Sequence, residues 1–384
     1  MARQVVDPRF PALLREIRTQ RGLSLRQLAG PSWLSKSVLN AIEHGTRQPT
    51  PDEAARLDEV LDAGGRLAEL VAAPGVELDE DRLQYVARYP RRVDRATLDD
   101  LRTLLAAQRR LDDTMGSAAV LGPAREQLAT VATLVGESYD GMRPEVLDVG
   151  AQWAQFVGWL RAANGQQDEA IAAFTRAQDW ASERLETDRT ARDMIATALS
   201  FKGYVAEGLG HVGDMIGFSK AAQRDPAVFA AQRSYSAGQE ARGHAIVGDE
   251  QAAITKISQA AEIAVAQEPE SMPPWSYYYT PDFMLIQRGI IFYMLGARSE
   301  RRNAEAIDLL RAGLDGLDPE ARRAEWAGVY LCELAEAHAR THEMPEAQSL
   351  LGEAAVVAAT ARAPKVRERV RRLEVKYGLS ADCP

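Results

Sequence analysis

The segment Gly22–Gly45, GLSLRQLAGPSWLSKSVLNAIEHG, decides the fold of the amino-terminal part of this 384-residue chain. Ser24 can cap a short helix, because its hydroxyl can accept a backbone hydrogen bond from the first turn. Gly30-Pro31 disfavours continuation of that helix. Ser35 can cap a second helix, which the glycine at the end of the segment can terminate. The segment therefore predicts two short helices joined by a tight turn.

The second helix has two chemically different faces. Apolar residues on one side can pack on neighbouring helices, together with Leu28 and Leu34 from the segment before it. Small and polar residues on the other side can contact base edges, because lysine donates to guanine, asparagine pairs with adenine and alanine meets a thymine methyl group. The predicted base-contacting residues are Lys36, Ser37, Asn40 and Ala41.

Residues beside this helix are placed to contact the DNA backbone. Hydroxyls, amides, arginines and helix N-termini are the usual partners of phosphate. Residues 9–48 carry a net charge of +5 in a chain of net charge −9, so the remainder carries −14. This asymmetry is typical of a small DNA-binding module joined to a larger domain that phosphate repels. The predicted phosphate-contacting residues are Ser24, Arg26, Ser35, Arg47 and Gln48.

The amino-terminal segment resembles the Cro/CI-type (XRE) repressor domain. The motifs that carry the resemblance are LREIR at 14–18, RGLS at 21–24, QLA at 27–29, SKS at 35–37 and IEHGTRQP at 42–49. The resemblance implies a five-helix, lambda-repressor-like helix-turn-helix domain whose third helix enters the major groove. It also implies an ion pair between Arg18 and Glu43. The chain departs from the family in the turn, where Trp33 stands in place of the usual glycine.

The remainder of the chain is predicted to be helical. Hydrophobic residues make up 46% of the sequence, and no long alternating strand pattern occurs. The fold class is therefore all-α, with a DNA-binding domain over residues 1–75, a polar linker over 76–96 and a helical domain over 97–384. The two cysteines provide no disulfide framework, and no stretch is apolar enough to cross a membrane. A cytoplasmic protein is expected.

A spaced pattern of small residues after residue 150 resembles the tetratricopeptide (TPR) signature. Further copies with less regular spacing predict helix pairs stacked into a TPR-like α-solenoid, which presents an inner surface to a ligand. The first copy is formed by Gly158, Gly165, Ala170, Phe174 and Ala177. Four later copies begin at or near Gly203, Ala241, Ala306 and Ala335.

The segment Met272–Pro281, MPPWSYYYTP, interrupts the helical pattern with four large aromatic residues. Aromatic side chains with polar groups are common at recognition surfaces, which makes them candidate effector contacts. Packing between helix pairs is an equally good explanation of the same residues. The candidate effector-binding residues are Trp275, Tyr277, Tyr278 and Tyr279.

The sequence offers little support for catalysis. His338, His342 and Glu343 could share one side of a helix, but packing explains His338 equally well. No phosphate-binding loop, dinucleotide fingerprint or nucleophile elbow occurs. We therefore predict a protein that is not an enzyme and that has no metal or cofactor.

Together these features predict a sequence-specific transcriptional regulator. By resemblance to the peptide-sensing regulators of bacterial quorum systems, the TPR-like domain would bind a short signalling peptide and hold two DNA-binding domains as a homodimer on a palindromic double-stranded DNA operator. The alternative is a DNA-tethered scaffold whose solenoid binds another protein. The basic segment Arg362–Lys376 is expected to be a solvated final helix.

Overall fold

The computed structural model of the chain describes residues 10–32, 34–45, 47, 49, 51–67, 79–185, 188–265, 272–319, 321–361 and 363–379. Regular structure in these ranges is helical throughout, without a strand. The chain divides into an amino-terminal unit, Met1–Asp79, and a helical-repeat unit, Glu80–Pro384. The predicted all-α fold class is confirmed.

The amino-terminal unit packs its helices around one apolar core. The described helices are α1 (Phe10–Gln20), α2 (Leu25–Ser32), α3 (Lys36–Glu43) and α4 (Pro51–Val60). The core side chains are Phe10, Leu14, Ile17, Leu28, Leu39, Ile42, Leu57, Leu61 and Leu67. The predicted fifth helix falls largely on residues 68–73, which lie outside the described residues.

Helix α2 continues through Gly30 and Pro31, where the sequence predicted an end. Proline lacks one backbone donor, but here it stands in the last turn of a short helix, so a single hydrogen bond is lost. The Ser32 hydroxyl donates to the Leu28 carbonyl at 2.7 Å and keeps that last turn bonded. The prediction that Gly30-Pro31 ends the helix is wrong for this reason.

The predicted linker is also largely structured. Helix α5 (Glu80–Arg88) and a short 3-10 helix (Pro90–Arg92) occupy most of its described part. Val86 and Val93 are buried in the core of the helical-repeat unit, although the residues around them are mostly polar. Two apolar residues in a charged segment were too weak a pattern to indicate a packed helix.

After α5, the helical-repeat unit continues with α6 (Arg95–Met115) and α7 (Ser117–Glu137), and five helix pairs follow in the described residues. The pairs are α8 (Arg143–Ala163) with α9 (Gln167–Ser182), α10 (Arg189–Gly208) with α11 (Val212–Ala222), α12 (Ala230–Val247) with α13 (Glu250–Val265), α14 (Pro281–Gly296) with α15 (Glu300–Gly316), and α16 (Glu325–Arg340) with α17 (Met344–Thr360). Helix α18 (Pro364–Tyr377) follows the last pair. Each predicted copy of the repeat falls on one pair, although the spacing differs between pairs.

Close helix contact explains the small residues of the first repeat. A Cβ atom on Gly158 would lie 2.6 Å from the ring of Phe174, which is fully buried between the two helices. The turn that joins these helices contains Gly165 with a φ of 79°, a conformation that favours glycine. The corresponding turn of the fifth pair contains His342 with a φ of 63°.

We expect Gly158→Ala to destabilise the helical-repeat unit by about 1–3 kcal/mol, because the new methyl group has no room beside Phe174. Urea unfolding of the full chain, followed by circular dichroism, measures this loss. Gly122→Ala in α7 is the matched control, since nothing lies within 4 Å of its added Cβ. That variant should gain roughly 0.5–1 kcal/mol from helix propensity. Equal effects of the two substitutions would contradict the packing explanation.

The first helices of successive pairs form a continuous layer. Helices α8, α10, α12, α14 and α16 contact one another in chain order, and α6 and α18 extend the series at its two ends. Early and late helices of the unit also contact each other, α7 with α16 and α8 with α18. The Ser117 hydroxyl donates to Glu325 at 3.2 Å, and Lys365 Nζ donates to the Ala162 carbonyl at 3.0 Å. Residues more than two hundred positions apart thus contact each other, which the repeat pattern in the sequence did not predict.

None of the helices in the described ranges is both long and apolar enough to traverse a lipid bilayer.

Candidate nucleic-acid interface

Helix α3 presents a polar face to solvent. Lys36, Ser37 and Asn40 are exposed, and Ala41 is partly exposed. These residues lie at positions that an α-helix places on one side, because successive residues are rotated by about 100°. All four predicted base-contacting residues therefore lie together on the surface of the amino-terminal unit.

Capping and burial fix the conformation of α3. Ser35 is the N-cap, and its hydroxyl accepts a hydrogen bond from the Val38 amide at 3.2 Å. Gly45 follows the helix with a φ of 68°, as a terminating glycine does. Leu39 and Ile42 are fully buried and hold the opposite face against the core. The predicted bounds of this helix are confirmed.

Arg18 and Glu43 form a bidentate ion pair between α1 and the end of α3. Arg18 Nε lies 2.6 Å from Glu43 Oε1, and Nη2 lies 2.9 Å from Oε2. The third guanidinium nitrogen donates to the Leu23 carbonyl at 2.7 Å, between α1 and α2. The hydrogen bond from Glu43 raises the pKa of Arg18. One arginine therefore links α1, the segment between α1 and α2, and the end of α3.

The residues predicted to contact phosphate occupy different environments. Arg26 is exposed on α2. The Ser24 hydroxyl and amide both donate to Gln27 Oε1, at 2.8 and 2.9 Å, in a capping box at the start of α2. The Ser35 hydroxyl caps α3 and lies 2.9 Å from the Ser37 hydroxyl. Gln48 lies outside the described residues.

Arg47 has a role inside the domain that the sequence did not suggest. Its Nη2 lies 2.7 Å from Glu53 Oε1 on α4, and its Nη1 is buried. Its backbone amide donates to the Ala41 carbonyl at 3.2 Å. Arg47 therefore joins the end of α3 to α4 while its side chain stays 39% exposed.

The amino-terminal unit is similar to a known family of domains. Residues 9–80 match a family model described as a helix-turn-helix domain. The amino-terminal unit is a helix-turn-helix domain. The chain is also similar to a crystal structure of Bacillus thuringiensis PlcR in complex with the peptide PapR7 and DNA. The match covers 94% of this chain and 98% of the PlcR chain, with 14% sequence identity and a TM-score of 0.32. No curated protein sequence matches the chain.

The aromatic segment of the helical-repeat unit lies against the first-helix layer. Trp275 and Tyr279 are buried, and they donate hydrogen bonds to Thr197 on α10 (3.2 Å) and Gln232 on α12 (3.1 Å). Their burial matches the packing explanation that the sequence left open. Tyr278 is partly exposed, and Tyr277 is 47% exposed and donates to Asp113 on α6 at 2.9 Å.

Asp112, the neighbour of Asp113, is partly buried and accepts a hydrogen bond from Trp159 Nε1 at 2.8 Å. Burial is the main cause that raises the pKa of Asp112 from 3.8 to about 7; the Trp159 hydrogen bond opposes the rise, and the Asp113 and Glu325 carboxylates add to it. Between about pH 4 and pH 7, Asp112 therefore keeps its proton in the folded chain and loses it in the unfolded chain. Its contribution to stability is lost as the pH rises from about 4 to about 7.

We expect Asp112→Asn to be more stable than the wild type at pH 8, by on the order of 2 kcal/mol, because asparagine can still accept from Trp159 without a buried charge. Urea unfolding between pH 5 and pH 8 should show the advantage shrinking as the pH falls. Asp308→Asn, an exposed position on α15, is the control and should leave the pH profile unchanged. A constant advantage of Asp112→Asn at every pH would show that Asp112 does not titrate in this range.

Packing and hydrogen bonding account for His338. The side chain is buried, Arg311 Nη2 lies 2.9 Å from its Nε2, and its Nδ1 is hydrogen-bonded to Glu343. His342 stands in the turn that follows. Within the described residues, no three histidine, cysteine or carboxylate side chains are grouped as metal ligands.

Proposed function

We propose that the chain is a sequence-specific DNA-binding transcriptional regulator. The observation that carries this proposal is the exposed polar face of α3, formed by Lys36, Ser37 and Asn40. The opposite face of the same helix is fixed by buried apolar residues and by the Arg18–Glu43 pair. A short helix with exposed polar side chains is what major-groove recognition by a helix-turn-helix requires.

Sequence-specific binding by such a small module favours a pair of modules on one DNA. A single module covers a small part of the groove, and two-fold related copies read two half-sites about one helical turn apart. We therefore propose a homodimer on a palindromic operator. The helical-repeat unit, which forms most of the chain, would hold the two copies and sense an effector.

Selection of binding sites from a randomised DNA pool tests the proposal. The wild-type chain should enrich one inverted-repeat sequence, and its affinity for that sequence should exceed its affinity for unselected DNA by about 10³-fold or more. Light scattering should give the mass of two chains on one enriched duplex. No enrichment, with weak binding to all DNA alike, would favour a DNA-tethered scaffold over a regulator.

A further inference from the structure

The first-helix layer of the helical-repeat unit carries a group of partly exposed aromatic residues, which we call the aromatic wall. Ring centroids of Trp159 and Tyr204 lie 5.8 Å apart, and those of Trp326 and Tyr330 lie 5.9 Å apart. Burial raises the pKa of Tyr204 to about 12, yet its side chain keeps accessible surface. The wall is therefore closely packed but not fully buried. Its members are Trp159, Phe201, Tyr204, Tyr235, Tyr278, Trp326 and Tyr330.

Arg109 on α6 is a buried cation close to this wall. Its residue exposure is 6%, and its guanidinium carbon lies 5.9 Å from the centroid of the Phe156 ring. Its Nη2 is buried and has no hydrogen-bond partner among the described residues. Buried arginines are normally paired, because an isolated charge in a protein interior is costly.

The neighbouring carboxylates do not neutralise Arg109. Asp112 accepts the indole N–H of Trp159, and Asp113 accepts the hydroxyl of Tyr277. Burial lowers the pKa of Arg109 to about 10, and the hydroxyl groups of Tyr277 and Tyr278 are the groups that counter this effect. The described part of the chain thus leaves one buried guanidinium unmatched beside a set of aromatic rings.

We propose that Arg109 is the anchor for the carboxylate of a small effector, whose apolar body rests on the aromatic wall. The planar guanidinium fork matches a carboxylate with two parallel hydrogen bonds, and an added carboxylate would supply the missing counter-charge. The carboxylate can come from the C-terminus of a short peptide or from a free organic acid. This inference rests on the proposed function, because it names the chemistry of the effector.

Thermal unfolding of the full chain without ligand is the first test. Arg109→Met removes the unmatched charge and keeps a long apolar side chain, so its melting temperature should be about 2 °C or more above that of the wild type. Arg109→Lys keeps the charge and should give no gain. Arg110→Met is the matched control, because Arg110 is the exposed neighbour on the same helix. A lower melting temperature for Arg109→Met would overturn the proposal, since it would show that Arg109 already has a stabilising role.

Ligand-dependent unfolding is the second test. The small-acid probe is 3-phenylpropionate, with 3-phenylpropanamide as its uncharged match. The peptide probe is Ala-Ala-Phe, with its C-terminal amide as the match. At millimolar concentration at least one acid should raise the melting temperature of the wild type and of Arg110→Met, but not that of Arg109→Met. Equal shifts by an acid and its amide, or no shift by either acid, would overturn the proposal.

The two acid probes also distinguish the two sources of carboxylate, since a response to the peptide alone indicates a C-terminus and a response to phenylpropionate alone indicates an organic acid. DNA binding is measured separately on the selected operator. A chain that binds an acid through Arg109 but ignores DNA would refute the proposed function and leave the carboxylate site intact. A chain that binds its operator but shows no acid response would do the reverse.

Discussion

Replacing Glu43 with alanine should destabilise the amino-terminal unit by about 3 kcal/mol, the largest single effect that we expect in this chain. The side chains of Arg18 and Glu43 are 12% and 3% exposed, so removal of the carboxylate leaves a poorly hydrated guanidinium without its partner. A small domain has only about 5–15 kcal/mol of stability in total. The loss should therefore open α3 and abolish DNA binding.

Hydrogen–deuterium exchange of the full chain measures this effect locally, because amide protection reports the free energy of opening of each segment. Peptides from α3 and α1 should lose protection in Glu43→Ala, while peptides from α8 to α17 should keep it. Glu16→Ala is the control, since Glu16 is exposed on α1.

The double variant Arg18→Leu/Glu43→Leu separates a missing partner from a missing contact. Replacing a buried ion pair with apolar residues is often neutral or stabilising, so the double variant should recover most of the protection lost in Glu43→Ala. If Glu43→Ala costs less than about 0.5 kcal/mol, the pair does not hold α3 in place and is equivalent to a surface salt bridge.

The amino-terminal helices could be predicted because their signals are local. Ser24 with Gln27 and Ser35 with Val38 are capping contacts between residues three positions apart. The position of Gly45, two residues beyond the end of α3, indicates that it terminates the helix. Such contacts depend on short-range geometry, which the sequence order specifies directly.

Some features of the amino-terminal unit could not be predicted, because competing interactions decide them. Pro31 stays inside α2 because its position in the last turn makes the lost hydrogen bond inexpensive. Arg47 forms an ion pair with Glu53, and the sequence shows only that both residues are charged. Charge and spacing alone do not show which of several possible partners a residue contacts.

The repeat pattern predicted the helix pairs of the helical-repeat unit but not how the pairs stack. The spacing of small residues located the helix pairs, because helix contact requires a glycine or alanine at each close approach. The contact between Ser117 and Glu325 spans 208 positions and follows from how the pairs stack. The same stacking buries Trp275 and Tyr279, which the composition of their segment could not distinguish from a ligand-binding surface.

The base-contacting face of α3 should account for most of the specificity of DNA binding. A good base contact contributes about 1–3 kcal/mol of discrimination, so Lys36→Ala/Asn40→Ala should lose about 2–6 kcal/mol on the selected operator. On unselected DNA the same double variant should lose little, because specific base contacts are absent there and only one positive charge is removed. Equilibrium binding by fluorescence anisotropy, over a series of salt concentrations, gives both affinities.

Arg26→Ala is the matched control, because it removes one exposed positive charge from the neighbouring helix. It should weaken binding to operator and unselected DNA alike and reduce the salt dependence by about one phosphate contact. Asn40→Ala alone should weaken operator binding without any change in salt dependence, since asparagine carries no charge. If Arg26→Ala and Asn40→Ala instead gave the same loss of specificity, the polar face of α3 would not be the surface that distinguishes one base pair from another.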